Sequence, residues 1–163
     1  MGESTEREKY DAYPETVLDF VGERAARIDL RRPVGGDERA TLRRLGLDRP
    51  FAVLTAENPG GENPEDEPSA REAARQEDRN ERRTDALVRG LTERGTRWRH
   101  VDGVSPDGRY REHCVAVVAA REEARALAKR FGQLALFWFD GDSFWLLPAK
   151  ADEPPRRLPE GPP

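Results

Sequence analysis

Leu134-Ala135-Leu136-Phe137-Trp138-Phe139 and Phe144-Trp145-Leu146-Leu147 flank Asp140-Gly141-Asp142-Ser143, and this stretch decides the fold class. Asp-Gly between two apolar runs is turn chemistry, so the runs read as the arms of a β-hairpin. Consecutive side chains on a strand point to opposite faces, and both arms are apolar at successive positions, so both faces should be covered. The hairpin therefore belongs inside the sheet. A second antiparallel pair reads from Trp98–Val101, the turn Ser105-Pro106-Asp107-Gly108, and Cys114–Val118. Two hairpins, helices at irregular intervals and no internal repeat favour α+β over a doubly wound parallel sheet. The expectation is a single α+β domain with a mixed, largely antiparallel sheet of about six strands and helices packed against it.

Outward from the hairpin, Glu122–Phe131 places Ala124, Leu127, Ala128 and Phe131 on one helical face, and Gly132 closes the helix. Ser69-Ala70-Arg71-Glu72 has the capping-box pattern and opens a helix running to Arg94, with an apolar stripe at Leu87, Val88 and Leu91. Phe51–Thr55 is a continuous apolar run after Pro50, suited to a central strand. Asp37 is expected to cap a short helix carrying Ala40, Leu42 and Leu45 and stopped by Gly46. Ala26–Leu30 alternates as a strand, and Tyr10–Phe20 reads as a short helix on the spacing of Tyr13, Val17 and Phe20. The polar segment 1–9 is expected to be flexible and the Pro-rich tail 150–163 disordered. That leaves residues 10–149 as the domain, with a charged insert at 60–76.

The length of 163 residues fits one domain. With 28 basic against 32 acidic residues the formal charge is −4, which argues against a nucleic-acid partner. The chain shows no signal-like apolar segment near Met1 and no run long enough to span a bilayer, so a cytoplasmic, soluble protein without membrane association is expected. Cys114 is the single cysteine, which excludes an internal disulfide and a Cys-rich zinc site.

His100, Asp102, His113 and Cys114 are the candidate metal ligands. His113 and Cys114 are consecutive on a strand and face opposite ways, so at most one can join His100, and no metal site is expected. The same geometry argues against a Cys–His nucleophilic dyad. Asn58-Pro59-Gly60-Gly61 and Gly35-Gly36 lack the Gly-Lys-Ser/Thr ending of a P-loop. Pro106-Asp107 followed by Glu112-x-Cys114 has Cys where a nuclease-like pattern needs Lys. The aromatics Phe137, Trp138, Phe139, Phe144 and Trp145 adjoin Asp140 and Asp142 rather than a basic groove, so they read as core. No cofactor is expected.

The helix from Ser69 carries the most informative feature. Asn80 precedes Thr84, Leu87 and Leu91 at helical spacing, so it faces the domain body while Asp78, Arg79, Glu81 and Arg82 face water. A buried amide needs partners. Candidates are Thr55 and Asn58 at the end of the central strand, Glu112 opening the Cys114 strand, and Gln133 just after Gly132. These five are read either as a ligand site or as a structural network holding the loop from Asn58 to Pro64. In the site reading Glu112 is the one ionisable group of the set and the candidate catalytic residue, a general base, with Thr55, Asn58, Asn80 and Gln133 binding the ligand.

Thr55-Ala56-x-Asn58-Pro59, the helix with Asn80, Gly103-x-Ser105-Pro106-Asp107-Gly108 leading to Glu112, and Ala128-x-x-Phe131-Gly132-Gln133-x-Ala135-x-Phe137-Trp138 together resemble a bacterial family known only as a domain of unknown function (family 3293). The similarity runs from about Phe51 to Leu147. It implies no activity, but it marks Thr55, Asn58, Asn80, Glu112 and Gln133 as motif positions. The chain departs from the family by its charged insert.

Two classes of function stay open at this level. One is a site for a small polar ligand, neutral or cationic, with or without catalysis. The other is an interaction module presenting the charged face of the 69–94 helix and the preceding loop to a protein partner. The oligomeric state is likewise open.

Overall fold

The computed structural model describes residues 5–20, 26–58 and 69–160. Its helices are α1 (Glu6–Ala12), α2 (Gly36–Arg44), α3 (Ala70–Glu93) and α4 (Arg121–Arg130). Its strands are β1 (Val17–Phe20), β2 (Ala26–Asp29), β3 (Phe51–Leu54), β4 (Trp98–Val104), β5 (Arg111–Val118), β6 (Ala135–Phe139), β7 (Phe144–Pro148) and β8 (Arg156–Leu158). A short 3-10 turn, Tyr13–Glu15, joins α1 to β1.

All eight strands form one sheet in the order β2-β1-β4-β5-β3-β6-β7-β8, and every neighbouring pair is antiparallel. The fold is α+β, with eight strands rather than about six and no parallel pair among them. Both additional strands have physical reasons. The expected Tyr10–Phe20 helix ends in the 3-10 turn at Pro14, and Val17–Phe20 pairs instead with β2 and β4. Val17, Leu18 and Phe20 are all buried, a demand that a strand covered on both faces meets and a one-sided helix does not. At the other end, Arg156–Leu158 pairs with β7 and buries Leu158, so this part of the expected disordered tail is an edge strand. Glu6–Lys9, expected to be flexible, is helical behind a Thr5/Glu8 capping box.

The long helix opens at Ser69 as its capping box requires: Ser69 Oγ accepts from Glu72 N at 3.2 Å. Residues 70–76 of the expected insert are the first turns of α3, while 59–68 lie outside the described residues. At α2 the N-cap is Gly35, not Asp37, and Glu38 Oε2 reaches back to accept from Gly35 N at 3.0 Å.

Each sheet face carries its own core. Phe51, Val53, Ala116, Phe137, Phe139 and Phe144 face α1 and α2, joined by Tyr10, Leu42 and Leu45. Ala52, Leu54, Val115, Val117 and Leu136 face α3 and α4, joined by Leu87, Leu91, Ala124 and Ala128. The hairpin aromatics divide accordingly. Phe137, Phe139 and Phe144 are buried, while Trp138 and Trp145 are half-buried and donate their indole N–H groups to Ala119 O and Asp140 Oδ2. Among the described residues no helix is long and apolar enough to cross a membrane.

Candidate functional site

Antiparallel order fixes where the site lies. β3 runs between β5 and β6, so its C-terminal end is flanked by the starts of both neighbours. Thr55–Asn58 therefore leaves the sheet beside Glu112–Cys114 on one side and Gln133 on the other. A cavity of about 440 Å³ opens there. Thr55, Asn58, Glu112 and Gln133 line it, with Val53, Val104, Pro106, Ala135, Leu136 and Phe137 among its apolar walls.

Asn80 does not line the cavity. It is buried in α3 behind Asn58, where its Oδ1 accepts from Asn58 N at 3.0 Å and its Nδ2 donates to Asn58 Oδ1 at 3.1 Å. Gln76 Nε2 donates to the same Asn58 oxygen at 2.7 Å. These bonds hold Asn58 in the left-handed region, φ 46°, which Asn tolerates better than most residues. The oxygen of Asn58 is engaged by two donors, and Asn58 pulls both the Glu112 carboxyl and the Tyr110 phenol down, against the larger upward push of burial.

Thr55 and Gln133 pin the loop. Thr55 Oγ1 donates to His113 O at 2.7 Å and accepts from Glu57 N at 3.0 Å. Gln133 Nε2 donates to Glu57 O at 2.9 Å and to Phe131 O at 3.3 Å. Only an amide nitrogen can face two carbonyl oxygens, so the orientation of Gln133 is fixed. Glu57 Oε1 in turn accepts from His113 N at 2.7 Å.

Glu112 shares a sheet face with Cys114 and stands opposite Gly103 on β4. Gly103 leaves room there: a methyl in its place would meet Cys114 Sγ and Thr16 Cγ2 at 3.6 Å. Burial, reinforced by the nearby negative charge of Glu57, pushes the Glu112 carboxyl up to about 8, against a smaller downward pull from Asn58. Burial and the Glu112 charge likewise raise the phenols of Tyr13 and Tyr110. The Cys114 thiol is pushed up by burial first and Glu112 second, so it is a poor nucleophile.

The outer face at the same strands is separate. Asp102 is buried there, 2.6 Å from Arg111 Nη1 and 2.9 Å from His113 Nδ1, with Arg111 reaching on to Asp19 at 3.1 Å. His113 thus lies on the face opposite Glu112 and Cys114, as strand alternation requires. Among the described residues no group of three or more His, Cys, Asp or Glu side chains is arranged to hold a metal ion.

Sequence reasoning missed Glu57, Tyr13 and Tyr110. Glu57 sits inside a loop motif whose register with β5 only the sheet supplies. Tyr110 lies in the β4–β5 turn, and Tyr13 reaches the cavity because the N-terminal segment folds over this sheet face, its ring edge-on to Phe137 at 5.8 Å.

No curated protein and no solved structure matches the chain. Residues 54–136, just over half of it, match the model of a family described as "Protein of unknown function (DUF3293)", a span that includes Thr55, Asn58, Asn80, Glu112 and Gln133. The chain belongs to that family.

Proposed function

We propose that this protein binds a small molecule with an apolar body and a polar, neutral or cationic head in the cavity at the end of β3. Glu112 and Asn58 contact the head, and Asn80 is a positioning residue that fixes Asn58. The observation that carries this reading is that Asn58, Glu112 and Gln133 border open space. A purely structural network would close on itself, since a buried carboxyl without a ligand costs stability and contributes nothing. The volume falls within the roughly 300–1,000 Å³ common for small-molecule sites. Where the bound molecule also reacts, Glu112 is the group to move a proton, because its carboxyl titrates near neutrality. A cytoplasmic setting suits the lone buried thiol of Cys114.

Thermal-shift screening of a fragment library against the wild type and Glu112→Gln tests this. The expected outcome is that the variant folds and loses the stabilisation given by the wild-type hits. Hits that stabilise both proteins equally, or no hits on the wild type, would sink the proposal.

The second reading, an interaction module, draws on one observation. Ala70–Arg79 at the start of α3 exposes every side chain except Gln76, which is half-buried. That face is dense in both charge signs, as a solvated helix also is.

A further inference from the structure

Four buried acids line one cavity, and at neutral pH each of them is held in its protonated form. Tyr13 comes from the 3-10 turn, Tyr110 from the β4–β5 turn, and Glu112 and Cys114 from β5. Burial is the largest cause for all four. It raises the Glu112 carboxyl to about 8 and lifts both phenols and the thiol further. Lys9 and Glu15, also in the lining, carry opposite formal charges. The lining therefore sums to zero at neutral pH and becomes net negative once Glu112 ionises. Glu57, which pushes on both Glu112 and Tyr110, adds a negative charge close by. An ammonium head would have to displace the Glu112 proton, and a carboxylate head would stand near Glu57. An uncharged head does neither.

Protonated carboxyls and phenols donate through O–H groups, and they donate more strongly than their hydroxyl oxygens accept. A carboxyl kept neutral by an apolar site thus serves as a donor, here beside two tyrosine hydroxyls. Several of the protein's own carbonyl oxygens at this corner are already engaged. Asn58 Oδ1 takes Gln76 and Asn80, His113 O takes Thr55, and Glu57 O takes Gln133. A ligand carbonyl oxygen, with two lone pairs and no charge, suits such donors. The lining keeps acceptors as well, among them Glu15 and the oxygen of Gln133, whose nitrogen donates to two carbonyls. An N–H beside the ligand carbonyl is therefore accommodated.

We infer that the cavity takes an uncharged molecule with an apolar body and a carbonyl head, a ketone or a carboxamide. The carbonyl oxygen accepts from the Glu112 carboxyl and from the Tyr13 and Tyr110 hydroxyls, and the apolar body lies along Val53, Leu136 and Phe137. This rests on the cavity being a ligand site. Association is noncovalent: no bond in the ligand forms or breaks, and Glu112 keeps its proton. Among the described residues, the titratable groups around Glu112 are Glu57, Tyr110, Tyr13 and Cys114, with Lys9 and Glu15 in the same lining. Of the four buried acids Glu112 ionises first as pH rises. A carboxylate cannot donate, so carbonyl affinity should be level up to about pH 7. At about pH 9 it should be about tenfold weaker, since only about a tenth of the free protein still holds the proton.

Benzylacetone and hydrocinnamamide are the carbonyl probes, with propylbenzene, phenylpropylamine and hydrocinnamate as matched controls, and binding is measured by calorimetry at about pH 7 and pH 9. At the lower pH the ketone and the carboxamide should bind roughly tenfold more tightly than each control. At the higher pH that advantage should shrink by about tenfold, with proton uptake on binding, while propylbenzene is unaffected. The double variant Tyr13→Phe, Tyr110→Phe keeps both rings; it should lose roughly tenfold in carbonyl affinity and nothing toward propylbenzene. The wild-type comparison needs no variant, so the test survives one that fails to fold. Carbonyl affinity unchanged at the higher pH would overturn donation by Glu112. Propylbenzene, amine or carboxylate binding as tightly as the carbonyl probes would overturn the carbonyl class and leave the cavity reading standing. Binding by none of the probes would overturn both.

Discussion

Glu112 is held on β5 by a register that also sets Gly103 opposite it and Cys114 two residues on, so its carboxyl has protein on most sides and the cavity on one. Its folded-state value near 8 lies above the roughly 4.3 of an unfolded chain. Between those values the folded protein holds more protons than the unfolded one, so stability falls as pH rises from about 4.5 to about 8 and is flat above. Glutamine does not titrate. The unfolding free energy of Glu112→Gln relative to wild type should therefore climb across that window, by an amount on the order of 2 kcal/mol once solvent reaching the carboxyl through the cavity is allowed for. A difference that stays constant from pH 5 to pH 8 would contradict the burial of this group. Asn80 was legible in the sequence because helix periodicity singles out an amide on an apolar stripe. Glu57 was not, since its approach to Glu112 follows from pairing between β3 and β5, which no local pattern encodes.

Elements at the two chain ends support one another. Tyr10 in α1 donates its hydroxyl to Pro154 O at 2.9 Å, and the Arg156 guanidinium lies 4.8 Å over the Tyr10 ring while pairing with Asp11. Asp152 N donates to Glu6 Oε2 at 3.2 Å. The C-terminal segment thus braces α1, and the α1 segment with Tyr13 forms one wall of the cavity. Ending the chain at Lys150 would remove the edge strand, the buried Leu158 and these bonds. The expected loss is about 2–4 kcal/mol in chemical denaturation; an unchanged midpoint would mean that β8 is dispensable after all. Composition pointed the other way because Leu158 stands among prolines and arginines with no alternation to read. The demand for this strand comes from β7, whose two apolar faces need a neighbour. The same demand was visible at Phe144–Leu147, where the hairpin was correctly placed inside the sheet.

At the scale of the molecule, one wholly antiparallel sheet gathers the end of β3 and the starts of β5 and β6 at a single point. The sequence disclosed the polar residues at those ends, but not the strand order that makes them neighbours or the N-terminal segment that roofs them. Residues 54–136 of the family match contain the five polar positions but not Tyr13, so the cavity combines family positions with a wall from outside the matched span. Function turns on whether this point of convergence, rather than the charged face of α3, is what a ligand meets. An amide nuclear magnetic resonance titration of the wild type with a fragment that stabilises it in thermal-shift screening asks that directly. The expected shifts fall on Thr55–Asn58, Tyr110–Cys114 and Gln133–Ala135, three stretches far apart in sequence. Shifts confined to Arg71–Arg83, or none at saturating fragment, would contradict a ligand site at the end of β3.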